Sequence, residues 1–92
     1  GLAVQDIDAS TRSELGLKAG EGVVVSKVSG PAAANTGLRP GDVILMVNQK
    51  RVGSAAAFRD AARSIASGDT AMLLVRREDS TRFVGVTVPS DR

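Results

Sequence analysis

The sequence predicts a small α+β domain, built as a partly open β-barrel or sandwich of about five strands with two to three helices. Three observations support this fold class. Runs of β-branched residues at Val23–Val28 and Val43–Val47 are flanked by turn-forming residues and are typical of buried strands. Residues 54–67 carry apolar side chains at helical spacing. The last third of the chain has two strand-like runs around a polar turn, which predicts a hairpin.

The length and composition favour one domain, residues 1–92, with an aliphatic core. The chain has 92 residues, of which 42% are hydrophobic and only 2% aromatic. A chain of this size suits a single core, which Val, Leu, Ile and Ala must fill. Because the sequence begins abruptly at Gly1, inside a predicted strand, we interpret it as part of a longer protein.

The composition argues against several classes of function. There is no His and no Cys, so the usual general base and the thiolate metal ligands are absent, and we expect no catalytic residues, no metal and no cofactor. No serine lies in a G-x-S-x-G context. The net charge of +2 is spread over scattered basic residues, without aromatic stacking platforms, so we expect no nucleic-acid binding. The apolar runs are too short for membrane insertion.

The first third predicts a strand, a short helix and a second strand. Residues 2–7 are mostly apolar and favour a strand. Thr11, followed three residues later by Glu14, fits a capping box, and this predicts a helix of one or two turns that ends at Gly16. Residues 18–22 predict a loop before the second strand.

The central segment predicts a short helix and a tight turn. Residues 29–38 favour a helix that is closed by Gly37 in the left-handed conformation. Residues 39–42, Arg-Pro-Gly-Asp, match a type II turn that leads into a strand. A phosphate-binding loop would need several converging N–H groups ahead of a helix, whereas this turn contains proline and precedes a strand. We therefore interpret Asp42 as a structural acceptor for local N–H groups.

The remaining elements are a helix and the closing hairpin. Ser54 is predicted to cap the longest helix, which runs to about residue 67. Its core stripe is expected to contain Ala55, Phe58, Ala62 and Ile65, and a neighbouring face has the small residues Ala57, Ala61 and Ser64. The hairpin joins residues 71–77 and 82–88 across the turn Glu-Asp-Ser-Thr, with Val84, Val86 and Val88 directed inward.

The central segment also carries a family resemblance. "GPAAANTGLRPGDVILMVNQKRV", residues 30–52, resembles the bacterial PDZ pattern "SPAAxAGLxPGDVIxxVNGxxV", and the similarity extends over essentially the whole chain. Among PDZ domains the chain is most similar to the second, carboxyl-terminal PDZ domain of the HtrA/Do (DegP-like) serine proteases. One departure is Gln49, where the family usually has glycine. We expect Gln49 to shift that turn toward a geometry that depends less on glycine.

The resemblance implies a peptide-binding site at the start of the chain. PDZ domains bind the carboxyl terminus of a partner, which adds as a strand to a sheet edge beside a helix. By this resemblance Gly1 would lie at the carboxylate loop, and the N–H groups of Leu2 and Ala3 would hold the carboxylate. The peptide would pair with residues 2–5, ending at Gln5, and Leu2 and Val4 would line the pocket for the terminal side chain.

The opposite wall would be the helix face, with Ala57, Ala61 and Ser64 along the groove and Ile65 near its floor. Many eukaryotic PDZ domains carry His at the position of Ala57, where it selects Ser or Thr upstream of the ligand terminus. With alanine there, we expect no such selection and a preference for large apolar terminal residues. The structural alternative to a binding role is that these alanines serve only close packing of the helix.

The resemblance implies a periplasmic or cell-envelope serine endopeptidase of protein quality control as the parent. Partners would then be apolar carboxyl-terminal or unfolded segments, together with the protease domain and first PDZ domain of the same chain. Two alternatives stay open: a role mainly in interdomain or homo-oligomer contacts, and a different parent, such as a secretion-system component or an intramembrane metalloprotease. The sequence upstream of Gly1 would discriminate between these parents.

Overall fold

A computed structural model describes residues 2–18, 20–28, 36–63, 65 and 69–87. This part of the chain forms one antiparallel sheet of six strands with two helices, in agreement with the predicted α+β fold. The elements in chain order are β1 (Leu2–Gln5), α1 (Ala9–Leu15), β2 (Val23–Val28), β3 (Val43–Val47), β4 (Lys50–Arg51), α2 (Ala55–Arg63), β5 (Thr70–Arg77) and β6 (Ser80–Thr87). The strand order is β1-β2-β3-β5-β6, and β4 pairs with β3.

The core is aliphatic, as the composition predicts. Its buried members come from four strands and the two loops that lead into β3 and α2: Val23, Val25, Leu38, Ile44, Val47, Val52, Ala71, Leu73, Val75 and Val84. Helix α2 packs on this cluster through Ala57, Phe58 and Ala61, and Ile65 packs on it beyond the end of the helix. The small-residue face of α2 therefore joins its core stripe, whereas Ala55 and Ala62 are half-buried outside that contact group.

The first helix begins three residues earlier than the predicted capping box requires. Its N-cap is Asp8, whose carboxylate accepts the Thr11 N–H at 2.7 Å, and these contacts with Thr11 lower the pKa of Asp8. The prediction that Thr11 is the cap was therefore wrong, because an acceptor three residues upstream already satisfies its N–H group. The predicted end is confirmed, since Gly16 has φ +70° in the left-handed region.

Arg12 organises the loop that follows α1. Its guanidinium donates to the main-chain carbonyls of Lys18 (2.8 Å), Glu21 (2.7 Å) and Ile7 (3.3 Å). Ile7 precedes α1 in the sequence, whereas Lys18 and Glu21 follow it. The side chain therefore joins the end of β1 to the start of β2.

The turn at residues 39–42 is a structural joint. Gly41 has φ +99°, and the Asp42 N–H donates to the Arg39 carbonyl at 3.1 Å, as a glycine-dependent turn requires. Asp42 is 3% exposed and accepts the Arg39 N–H, which confirms its interpretation as a local acceptor.

Asp42 has a second partner that the sequence does not reveal. The Arg77 guanidinium, at the end of β5, donates to both carboxylate oxygens at 2.9 and 2.7 Å and to the Gly37 carbonyl at 2.8 Å. The hydrogen bond from Arg77 is the main cause that lowers the pKa of Asp42. The joint is therefore fastened to the closing hairpin.

The turn between β3 and β4 is left-handed even though Gln49 stands where the PDZ pattern usually has glycine. Val47 pairs with Lys50, so the turn has two residues, and both have positive φ: +49° at Asn48 and +73° at Gln49. This is the conformation of a type I′ hairpin turn. The expectation that Gln49 would relax the need for glycine was therefore wrong. Asn48 accepts the Met72 N–H at 2.8 Å through its side chain, which holds the turn against β5.

The other predicted elements agree in part. Ser54 caps α2, since its hydroxyl accepts the Ala57 N–H at 3.1 Å. The closing hairpin is tighter than predicted: Arg77 pairs with Ser80, so the turn has two residues rather than four. Val84 is buried and Val86 packs on the core. Residues 29–35 of the short helix predicted over 29–38, residues 64 and 66–67 at the predicted end of the long helix, and Val88 lie outside the described residues.

Candidate functional site

Strand β1 lies at one edge of the sheet. It pairs with β2 on one side only, with Leu2 opposite Val28 and Val4 opposite Val25. No strand pairs with its other side within the part of the chain that the structure describes. An unpaired edge of this kind can accept a further strand.

A bulge in β2 adjusts this edge. The pairing skips Ser26, which lies between the partners of Ala3 and Val4 and whose hydroxyl donates to the Ala3 carbonyl at 3.2 Å. A bulge of this kind increases the local twist of the strand pair. The edge strand is thus twisted where the predicted site lies.

Helix α2 lies beside β1 and is fastened to its end. The Asp6 carboxylate, immediately after β1, accepts the Ala55 N–H at the first turn of α2. The two hydrogen-bonding residues are 49 positions apart in sequence. Together with Ser54 this bond satisfies N–H groups that have no partner within the helix, and it brings the helix N-terminus to the end of β1.

The structure brings most of the predicted site residues together on two neighbouring elements. Val4 of β1 and Ala57, Ala61 and Ile65 of the helix segment are half-buried and pack on the same core cluster. Ala3 and Gln5 are exposed on β1. The backbone of Leu2 belongs to β1, whereas Gly1 and Ser64 lie outside the described residues.

A separate hollow of about 450 Å³ lies at the end of α2. It is lined by Val47, Asn48, Lys50, Ala61, Ile65, Asp69 and Thr70. The described side chains of β1, at residues 3–5, do not line it. We therefore distinguish this hollow from the groove that the resemblance implies, although Ala61 and Ile65 belong to both descriptions.

The described residues form neither a metal site nor a membrane-spanning helix. Within the described ranges, no group of three or more His, Cys, Asp or Glu side chains is placed to bind a metal ion. None of the helices described here has the length and hydropathy that a membrane span requires. The residues that sequence reasoning missed are Asp6 and Arg77, whose partners are distant in sequence and carry no local pattern.

An antiparallel sheet with a free edge strand beside a helix is the architecture of domains that bind peptides by strand addition. The chain belongs to the PDZ domain family, whose sequence profile matches residues 1–88.

The curated relatives identify the kind of PDZ domain. The chain is 36% identical over 84 residues to a DegP-like periplasmic serine endoprotease of Pseudomonas putida, a match that covers 91% of this chain and 17% of the relative. It is 36% identical to the DegP-like endoprotease of Marinomonas sp., covering 91% of this chain and 18% of the relative. The DegP-like periplasmic serine endoprotease of Chlamydia trachomatis is 35% identical over 86 residues, a match that covers 91% of this chain and 17% of the relative. The chain therefore spans less than a fifth of the length of these relatives.

Solved structures give the same result. The HtrA-type protease AlgW with tripeptide matches with a TM-score of 0.79 and 27% identity, covering 97% of this chain and 30% of that one. A structure of AlgW with decapeptide matches with a TM-score of 0.74 and 29% identity, covering 97% of this chain and 28% of that one. The resemblance to HtrA-type PDZ domains that the sequence indicates is confirmed by both comparisons.

Proposed function

We propose that this chain is a peptide-binding PDZ domain of a periplasmic HtrA/DegP-like serine endopeptidase of protein quality control. It would capture the apolar carboxyl-terminal ends of polypeptides. The observation that carries this proposal is the edge of β1, which is unpaired in the described structure and lies beside α2. The HtrA-type protease structures with peptides support the same role.

Binding would use main-chain groups for affinity and side chains for selection. The ligand would add as a strand to the free edge of β1, along residues 2–5. Its carboxylate would accept hydrogen bonds from the N–H groups of Leu2 and Ala3, beside Gly1. Hydrogen bonds to a charged group contribute about 1.5–3 kcal/mol each, so a free carboxylate should dominate recognition.

The terminal side chain would be selected by an apolar pocket. Leu2 and Val4 would form one wall, and the helix positions Ala57, Ala61, Ser64 and Ile65 the other. Burying one apolar side chain contributes about 1.5–3 kcal/mol, and alanine on the helix wall leaves room for a large one. Since Ala57 has no hydrogen-bonding group, it gives no basis for selecting Ser or Thr upstream.

The place of the domain in its parent is part of the proposal. The similarity of "GLAVQDI" and "SELGL" to the second PDZ domain of DegP-like proteins favours that position. The protease domain and first PDZ domain would then lie upstream in the same chain. The protease domain would supply the catalysis, and the described residues would have no catalytic role. Homo-oligomer contacts of the parent would involve the same domain.

A peptide titration tests the proposal. Labelled peptides ending in Val, Leu or Phe would be titrated by fluorescence anisotropy, with the domain carrying its native upstream residues. We expect binding to each free acid, and a loss of about tenfold to a hundredfold with the carboxamide form, because a charge-assisted hydrogen bond is lost. Equal binding of acid and amide would contradict carboxylate recognition.

Three substitutions test where the site lies. Leu2→Arg places a charge in the proposed pocket and should abolish binding, whereas Ala3→Ser at the exposed neighbouring position should preserve it. Ala57→His should introduce a preference for Ser or Thr upstream of the peptide terminus. If Leu2→Arg binds as tightly as the native domain, the pocket lies elsewhere.

A further inference from the structure

The outer face of the sheet exposes large apolar side chains. Met72 is 46% exposed and Phe83 is 67% exposed. Their strand neighbours Leu73 and Val84 are buried in the core. Because successive side chains of a strand alternate between faces, Met72 and Phe83 lie on the face opposite the core and α2. They are thus remote from the groove beside β1.

Met72 and Phe83 border the first of two adjoining hollows. One, of about 300 Å³, is lined by Met46, Gln49, Met72 and Phe83. The other, of about 250 Å³, is lined by Lys18, Gly20, Glu21, Leu45, Met46, Arg51, Val52 and Leu74. Met46 lies in both, so the hollows form one surface, which we call the outer apolar face: Leu45, Met46, Met72, Leu74 and Phe83.

Strand pairing explains why this face is concave. Leu74 pairs with Phe83, but Met72 pairs with Gly85, which has no side chain to fill the space. A side chain at Gly85 would contact the Met72 sulfur at 3.6 Å. Methionine is flexible and polarisable and adapts to varied apolar ligands. The face is therefore suited to accept an inserted side chain.

The charges around the outer apolar face are mainly positive. Lys18 and Arg51 line it, and Arg51 pairs with Met46 across β3 and β4. Alternation along β5 puts Arg76 on the same side, where its Nε donates to the Glu78 carbonyl at 2.9 Å. The one carboxylate among the lining residues, Glu21, accepts the Lys18 N–H at 3.0 Å. An acidic ligand would thus meet three cations.

We propose that the outer apolar face is a second docking site, distinct from the groove beside β1, for a protein segment that combines apolar and acidic side chains. Complementary charge orients such a segment, and burial of its apolar side chains against Phe83 and Met72 provides the affinity. A second copy of this chain fits less well. Pairing the same face of two copies would bring Lys18 and Arg51 close to like charges.

The test uses two synthetic peptides of about ten residues, both amidated so that they lack the carboxylate that a PDZ groove binds. One alternates Leu with Glu and the other Leu with Lys. Amide chemical shifts of the ¹⁵N-labelled domain would be followed by NMR. We expect the Glu peptide to shift the resonances of Met46, Met72 and Phe83 and to bind about tenfold more tightly than the Lys peptide.

Matched variants separate apolar contact from charge. Phe83→Ser should weaken the Glu peptide about tenfold, whereas Phe83→Tyr should retain it. Arg51→Glu should weaken it, while Arg59→Glu, the same charge change on the exposed side of α2, should not.

Four results of the peptide experiments would overturn the proposal, and a fifth comes from the domain alone. They are absence of binding, shifts confined to β1 and α2, equal affinity for the Lys peptide, and an equal effect of Arg51→Glu and Arg59→Glu. Concentration-dependent shifts of the same residues without peptide would instead indicate self-association, and would also contradict it.

Discussion

Replacing Gln49 with glycine should stabilise the protein. Gln49 has φ +73° at the second position of the β3–β4 turn. The left-handed conformation costs a residue with a Cβ roughly 1–2 kcal/mol. Glycine avoids this cost, but loses about 0.5–1 kcal/mol through its freedom in the unfolded chain. Taking both ranges near their middle, the net gain for Gln49→Gly is about 0.5–1 kcal/mol.

Thermal unfolding measures this gain. The chain has no Trp or Tyr, so far-UV circular dichroism is the suitable signal. For a domain of this size, about 0.5–1 kcal/mol raises Tm by roughly 2–8 °C. Gln49→Ala keeps the Cβ and should stay within about 0.5 kcal/mol of the native protein.

The neighbouring turn residue provides the sharper contrast. Asn48 also has positive φ, but its side-chain oxygen accepts the Met72 N–H at 2.8 Å. Asn tolerates the left-handed region, so Asn48→Gly removes a hydrogen bond and relieves little strain. We expect Asn48→Gly to lower Tm while Gln49→Gly raises it. If Gln49→Gly has an unchanged or lower Tm, or Asn48→Gly is the more stable variant, the turn assignment is wrong.

Three further predictions concern the framework around the site. Gly53→Ala should destabilise the fold by about 1–3 kcal/mol in urea unfolding, because its Cβ would overlap the facing backbone; an unchanged midpoint would refute that close approach. Asp6→Ala should cost about 1 kcal/mol by removing the acceptor for the Ala55 N–H, and Asp6→Asn should cost less because an oxygen remains; equal losses would argue against capping. Arg77 lowers the pKa of Asp42 below its ordinary 3.8. The ion pair between Arg77 and Asp42 therefore stabilises the folded protein fully above pH 3.8, and this contribution is lost as the pH falls through the lowered pKa of Asp42. The difference in urea midpoint between the native protein and Arg77→Met should therefore narrow in acid, and a gap independent of pH would contradict the ion pair.

Much of the fold could be predicted because its signals are local. The β-branched runs at Val23–Val28 and Val43–Val47 became strands, and Gly37 and Gly41 took the predicted positive φ. A glycine that a turn or helix end requires for its positive φ can be recognised from the neighbouring residues alone. The predicted helix cap was wrong because Asp8 and Thr11 are both residue types that cap helices, and Asp8 is the one whose side chain accepts the N–H of the residue three positions on.

Long-range contacts could not be predicted. Arg77 and Asp42 are 35 positions apart, and nothing in the local sequence of either indicates the other. The pairing of Asp6 with Ala55 is equally hidden. The site itself was predicted from resemblance, since Val4 and Ala57 would be apolar or small in any packed strand and helix. The outer apolar face escaped prediction because an alternating strand pattern does not tell which side will be covered.

The central claim is that a peptide terminus adds to the free edge of β1 beside α2. Nuclear Overhauser effects between an unlabelled peptide ending in Leu and the labelled domain test it most directly. We predict backbone contacts from the peptide to Ala3 and Gln5, and contacts from its terminal methyl groups to Val4 and Ala61. Saturable binding whose contacts fall elsewhere, with the amides of β1 unshifted, would contradict the account.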